Sequence, residues 1–235
     1  MNGLFVTGTD TGVGKTVVTG AVALALRARG IDVALAKPIQ TGGLASDPNG
    51  DAALLAGWLG LPDPHEICPF SFAPPVAPLV AARMERRALA LDDVVDHVRG
   101  LASGRDAVMV EGVGGLLVPL GEGWDVADLA GALGLPLLVV ARPGLGTVNH
   151  TLLTLAAAAS RGLGVLGVIL NGRGDDADAS LGTNADLIAE LGRVHVLGRT
   201  PWLEEPIESD RLLALAQEHL DLDPVLSVLK DLSRA

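Results

Sequence analysis

The stretch Gly8-Thr9-Asp10-Thr11-Gly12-Val13-Gly14-Lys15-Thr16 has the residue types needed to cradle a nucleotide's phosphates. It follows the apolar run Leu4-Phe5-Val6 and leads into apolar-periodic sequence from Val17. A glycine-rich turn that opens a helix presents N–H groups without internal partners, and these converge on anionic oxygens. Lys15 supplies a mobile point charge near the terminal phosphates, and the Thr16 hydroxyl can ligate Mg²⁺. The spacing is unusual. Five residues separate Gly8 from Gly14, one more than in the common phosphate loop, so Thr9 stands where its first glycine is expected. Asp10 is unusual too, because an acid in such a loop repels phosphate. It either holds the loop or orients a ligand amine.

The ends of later apolar runs offer further polar groups. Lys37-Pro38-Ile39-Gln40-Thr41-Gly42-Gly43 follows the second run. A lysine there can put a second positive charge on a transferring group. The ordinary alternative is a surface lysine ending a strand, but Pro38 and two glycines favour a shaped turn. Met109-Val110 runs into Glu111-Gly112-Val113-Gly114-Gly115. A carboxylate ending a buried strand is costly unless paired. Beside a phosphate loop its natural partner is Mg²⁺, which takes one or two carboxylates together with phosphate oxygens. The glycines let backbone approach a nucleotide closely.

Asp51, in Asn49-Gly50-Asp51-Ala52, is either a helix N-cap or a second metal carboxylate, with Asp47 a weaker competitor. Leu145-Gly146-Thr147-Val148-Asn149-His150 opens a helix, either as a capped start or as an anion site. Asn171, ending Val168-Ile169-Leu170, and Pro201-Trp202 sit where an adenine base could lie. His65, His97, His195 and His219 show no ligand spacing, and the lone cysteine, Cys68, reads as a small apolar residue.

Such groups need a scaffold that gathers strand ends. Apolar runs predict strands over 4–7, 33–36, 107–110, 137–141, 165–170 and 195–197. Helical spacing predicts helices over 17–28, 52–59, 91–101, 126–133, 148–159, 185–191 and 211–219. Strands that are apolar throughout suit a parallel sheet covered on both faces. The alternation predicts one doubly wound α/β domain over residues 1–235, with right-handed crossovers and ligands at the strands' carboxyl ends. Loops are expected over 45–50, 172–182 and 68–78, the last because Pro69, Pro74, Pro75 and Pro78 oppose regular structure.

A hydrophobic content of 49% against 19% charged residues fits a well-buried core. The net charge of −11, with only 17 Lys and Arg, argues against nucleic acid or an anionic membrane as partner. With no tyrosine and 3% aromatics, base-stacking platforms are not expected. No charged leader precedes the first strand, and no apolar run reaches the roughly 18 residues of a membrane span. A cytoplasmic protein is expected.

Five motifs stand in one order: Gly-Thr-Asp-Thr-x-Val-Gly-Lys-Thr from Gly8, Lys-Pro-x-Gln-Thr-Gly from Lys37, Val-Glu-Gly-x-Gly-Gly from Val110, Leu-Gly-x-x-Asn-His from Leu145, and Pro-Trp-Leu from Pro201. Together they closely resemble the dethiobiotin synthetases, a P-loop family that shares the five-residue gap. The resemblance runs from Phe5 to about Leu203. It implies an ATP- and Mg²⁺-dependent cyclo-ligase that joins CO₂ to 7,8-diaminopelargonic acid and closes a ureido ring, through a carbamate and a carbamic–phosphoric anhydride.

By the same resemblance Lys37 is the catalytic lysine and Lys15 neutralises phosphates. Thr16, Asp51 and Glu111 form the Mg²⁺ shell. Gly12, Val13, Gly14, Lys15, Thr16 and Val17 contact the nucleotide, as do Glu111, Gly112, Val113 and Gly114, with Asn171, Thr200 and Pro201 at its far end. Thr11 and Thr41 meet the diamine. The family's homodimer, with active sites at the interface, binds the substrate carboxylate at a helix start matched here by Gly146, Val148 and Asn149. Two departures stand out. Gly12 replaces a larger residue found in some members, and Glu204-Glu205-Pro206-Ile207 offers no asparagine to adenine.

A ParA/MinD-like switch ATPase is the main alternative, but its signature lysine, five positions before the loop lysine, is here Asp10. A cobalamin-type amidotransferase would need a glutaminase domain with a nucleophilic cysteine. A bare nucleotide-binding module would show no turnover dependent on a diamine.

Overall fold

Runs that are apolar almost throughout have little face to offer water, and all six become strands of one sheet. The computed structural model describes residues 1–172 and 178–232. Its first part comprises β1 (Gly3–Gly8), α1 (Lys15–Arg27), β2 (Val33–Ala36), β3 (Ile39–Thr41), α2 (Asp51–Leu59), α3 (Pro64–Ile67) and β4 (Phe70–Phe72). Next come α4 (Pro78–Met84), α5 (Leu91–Ala102), β5 (Ala107–Gly115), β6 (Pro119–Gly121), β7 (Trp124–Asp125), α6 (Val126–Leu133) and β8 (Leu137–Ala141). The remainder is α7 (Thr147–Ser160), β9 (Val165–Asn171), α8 (Asn184–Gly192), β10 (Val196–Thr200), α9 (Ser209–His219) and α10 (Asp223–Leu232).

The sheet order is β2-β5-β1-β8-β9-β10, and every pairing within it is parallel. Successive side chains alternate faces. Leu4, Val6, Met109, Leu138 and Ile169 pack with α1, α2, α9 and α10 on one side. Phe5, Val108, Val110, Val139 and Leu170 pack with α4 to α8 on the other. From β1 the chain runs to the edge strand β2, returns to β5, then crosses to β8 and on through β9 to β10, so the winding reverses at β1 and the crevice opens above it, where the phosphate loop begins.

Two local expectations are corrected. Residues 68–78 are not free of regular structure: β4 lies among them and pairs in parallel with β3. Pro69 and Pro74 flank that ladder without entering it, the Phe70 N–H donates to the Pro38 carbonyl (3.2 Å), and Pro78 takes the first position of α4, where its missing N–H costs nothing. The second correction concerns Glu111 to Gly115, which do not turn away after the strand but continue β5. β1 and β2 flank β5 on both sides, and Gly115 still pairs with Gly8.

Helices α3, α4 and α10 and strands β3, β4, β6 and β7 were not among the predicted elements. Of the loop expected over 172–182, residues 173–177 lie outside the described residues, and Ala179–Gly182 forms a single 3₁₀ turn. Among the described residues no helix is long and apolar enough to cross a membrane.

Candidate active site

Register brings the first pair together. Ala36 on β2 pairs with Val110 on β5, so the residues that follow, Lys37 and Glu111, stand side by side and project from the same face. Lys37 Nζ donates to Glu111 Oε1 (2.6 Å) and to the Gly112 carbonyl (3.1 Å), and pairs with Asp51 Oδ2 (2.8 Å). All three ammonium protons are thereby used. Lys37 is 1% exposed and Glu111 is fully buried. Burial drives the Lys37 pKa down, yet Asp51 and Glu111 together outweigh it and hold the ammonium above its ordinary value. Burial pushes the Glu111 carboxyl up, with the Lys37 charge opposing. The Lys37 charge holds Asp51 below the usual carboxylate range, against its own burial.

Thr16, in the first turn of α1, sits between the two acids. Its Oγ1 lies 2.8 Å from Asp51 Oδ1 and 3.0 Å from Glu111 Oε1. One hydroxyl proton serves one of them at a time, which leaves a lone pair for a cation. Asp51 is the first residue of α2, and the N-cap is Gly50, so the capping alternative falls away. Asp47 stays local, its Oδ1 accepting from the Asn49 N–H (3.0 Å). Glu111 Oε2 is buried without a hydrogen-bond partner. Two carboxylates and a hydroxyl with an unused buried oxygen fit a hard cation such as Mg²⁺. Among the described residues no group of three His, Cys, Asp or Glu forms a metal cluster; the hydroxyl would be the third donor.

The phosphate loop curls over this cluster. Gly14 caps α1 in a left-handed conformation (φ 85°), and the helix's first turn holds no acid to compete with phosphate. Lys15 Nζ donates back to the Asp10 carbonyl (3.2 Å). Burial above all, and then the Lys37 charge, lowers the Lys15 pKa to about 8. Asp10 holds the loop: Oδ1 accepts from the Thr11 N–H (2.7 Å) and Oδ2 from Arg142 Nη2 (3.2 Å), which also donates to the Thr11 carbonyl (3.1 Å). Opposite, β5 bows outward. From the pair Val6–Glu111 to the pair Gly8–Gly115, β1 advances two residues while β5 advances four. The excess presents Val113 and Gly114 to the loop, with Gly114 in the left-handed region (φ 64°).

An open cleft of about 410 Å³ results. Residues 11–17, Lys37, Thr41, Asp51, Val113 and Gly114 border one part, and Asn171, Trp202, Leu203, Glu205 and Ile207 the other.

A family model described as an AAA domain matches residues 2–209. The chain is 52% identical over 216 residues to the ATP-dependent dethiobiotin synthetase BioD of Anaeromyxobacter dehalogenans strain 2CP-C, covering 92% of this chain and 96% of that one. It is 41% identical over 231 residues to the BioD of Bacillus licheniformis, covering 98% of each. The chain belongs to the ATP-dependent dethiobiotin synthetase family. That family consists of ATP-dependent ligases. Among solved structures, a ParA family ATPase from Chlorobium tepidum aligns over 99% of both chains with a TM-score of 0.56 but only 14% identity. That likeness is one of fold alone.

Within this synthetase-family cleft not every residue singled out by motif stands at the surface. Glu111 and Gly112 lie just behind it; a Cβ on Gly112 would come within 3.0 Å of Phe5. Thr200 is fully buried and donates to Asn171 Oδ1 (2.7 Å), while Asn171 Nδ2 donates to the Val13 carbonyl (3.0 Å). The Asn171 amide is thus a strut beneath the loop. Pro201 is exposed outside the cleft, whereas its neighbours Trp202 and Leu203 line it. Gly146, Val148 and Asn149 start α7 beyond the cleft, with Gly146 as N-cap. Arg142 was missed; its one signal is a cation directly after the buried strand β8. Cys68 is buried, and burial pushes its thiol up to about 12.

The Lys15 position yields a prediction. Bound phosphates stabilise the charged amine and raise its pKa, so nucleotide binding takes up a proton where free Lys15 is neutral. ADP titrated without divalent metal, in two buffers of different ionisation enthalpy, will show uptake approaching one proton near pH ~9 and little near pH ~6. Equal uptake at both values overturns it.

Proposed function

We propose that this protein makes dethiobiotin from 7,8-diaminopelargonic acid and CO₂, converting ATP to ADP and phosphate. The observation that supports this best is a buried, charged Lys37 shared by two carboxylates at the mouth of a phosphate loop. One amine of the diamine adds to CO₂ and loses a proton, giving a carbamate. A carbamate oxygen attacks the γ-phosphorus, the bond to the ADP oxygen breaks, and a carbamic–phosphoric anhydride forms. The second amine attacks the carbonyl carbon, phosphate leaves, and that nitrogen gives up a proton as the ring closes.

Carbamate and γ-phosphate are both anions, so their encounter requires fixed positive charge. Lys37 stays protonated between its carboxylates and is therefore no base. Its role is to hold the carbamate and the transferring oxygens, while Lys15 and the amides of residues 12–17 hold the phosphates. Thr16, Asp51 and Glu111 would hold Mg²⁺, which when bound would supply charge neutralisation for the phosphates. The formal charges of Lys15, Lys37, Asp51 and Glu111 cancel, so a divalent cation held by the two acids would leave both lysines for the substrates. Thr11 and Thr41 face the diamine. Val113, Gly114 and Asn171 border the nucleotide, with Glu111 and Gly112 behind them.

A homodimer completes this reading. Leu117 and Leu153 lie exposed in a groove of about 340 Å³ beside the loop, and Leu145 is 88% exposed near it. Gly146 to Asn149 would then meet the substrate carboxylate bound to the neighbouring subunit. Light scattering will give a dimer mass at assay concentrations; a fully active monomer overturns the shared site.

The reaction is tested by phosphate release with Mg-ATP and bicarbonate, with and without the diamine, and by mass detection of dethiobiotin. Steady hydrolysis indifferent to the diamine would favour the switch-ATPase class.

A further inference from the structure

Between Lys37 and Asp51 the chain passes through β3, a glycine turn and a surface loop, and one side chain ties these together. Gln40, in the middle of β3, is 4% exposed. Its Oε1 accepts from the Ala52 N–H (2.9 Å). Its Nε2 donates to the carbonyls of Gly43 (3.3 Å) and Leu44 (3.1 Å). One amide thus bridges the turn that follows Thr41 and the start of α2, whose first residue is Asp51.

The fit is close, since a Cβ on Gly50, the α2 N-cap, would come within 2.6 Å of Gln40 Nε2. The Ala52 N–H belongs to a helical first turn and has no intrahelical acceptor. Ala52 is fully buried, so without Gln40 that donor is left unsatisfied. Asp51 must meet Thr16 with one oxygen and Lys37 with the other, each at 2.8 Å. Such a two-point contact depends on where the helix begins.

We infer that Gln40 is a positioning residue that fixes Asp51 and the 41–44 turn to one another, so that the metal side and the diamine side of the cleft are set by one amide. The inference rests on the synthetase reading for the diamine side alone.

Two variants separate its arms. Gln40→Leu removes all three hydrogen bonds. Gln40→Glu keeps an acceptor for Ala52 but sets an oxygen against the Gly43 and Leu44 carbonyls. ADP binding is measured by calorimetry with and without Mg²⁺, alongside the thermal midpoint and the KM for diamine. Gln40→Leu will weaken the Mg²⁺-assisted part of ADP binding about tenfold, the loss usual when a ligand's supporting partner is removed. Its metal-free ADP affinity will not change, and its diamine KM will rise. Gln40→Glu will recover the Mg²⁺ response and keep the raised diamine KM.

A folded Gln40→Leu with an unchanged Mg²⁺ response overturns the inference. So does an equal loss with and without metal, which would mean general loosening. Should Gln40→Leu not fold, a Gln40→Glu protein with unchanged diamine KM overturns it. If the unaltered protein forms no dethiobiotin, the reaction assignment fails, while calorimetry still decides the Asp51 arm.

Discussion

Lys37→Ala will turn over the diamine about 10²–10³-fold more slowly, the loss seen when one charge-stabilising donor is removed from a preorganised site. Among the described residues the other cations of the cleft are engaged elsewhere, Lys15 with the Asp10 carbonyl and Arg142 with the Asp10 carboxylate and the Thr11 carbonyl. The variant also leaves Glu111 buried without its counter-charge, and breaking such a pair costs about 3–5 kcal/mol. Mg²⁺ should therefore raise the thermal midpoint of Lys37→Ala more than that of the unaltered protein. Lys37→Arg will not rescue the rate, since a planar fork cannot serve acceptors arranged around one nitrogen. Turnover is measured as dethiobiotin formed under saturating substrates, with folding checked by circular dichroism. Near-normal turnover by Lys37→Ala removes this lysine from the chemistry.

Gly14→Ala is the second large effect. The residue has φ 85°, and its added methyl would run into the Asn171 side-chain nitrogen. Asn171 cannot retreat freely, being held by Val13 on one side and Thr200 on the other. Left-handed backbone for a non-glycine residue, plus one or two lost hydrogen bonds, sums to about 2–4 kcal/mol of stability. The KM for ATP will rise at least about tenfold, as the loop's helix-start amides shift off the phosphates. Gly12→Ala is the control. Gly12 shares the left-handed backbone (φ 68°) but has open space where its Cβ would go. Equal loss of stability in both variants, by denaturant titration, would show that the backbone penalty alone is responsible.

The sheet was legible because strands buried on both faces leave no polar alternation: β2 and β8 begin and end where their apolar runs do. Strands β3 and β4 were not legible, since three-residue strands hemmed by prolines give no periodicity. The candidate site was legible where a polar residue directly follows an apolar run, as Lys37 follows Ala36 and Glu111 follows Val110. Asp51 was ambiguous, because a cap and a metal ligand require the same residue type at the same place, and only the position of the helix start, with Gly50 as its cap, rules out the first. Gln40 stood inside a quoted motif without an assigned role, for a neutral amide does nothing until both its ends are located. Arg142 finds its carboxylate 132 residues earlier in the chain, a pairing that no local pattern announces.

The order of the strands divides the cleft between two sides of the sheet. β1 and its loop stand near the middle of the sheet, with β2 and β5 on one flank and β9 and β10 on the other. Lys37, Asp51 and Glu111 gather on the first flank; Asn171, Trp202 and Glu205 stand on the second. On the proposed reading, substitutions on the second flank can change what faces one end of a bound nucleotide without touching the acids and the lysine of the first. The loop between the flanks serves both, so a change there is felt on either side.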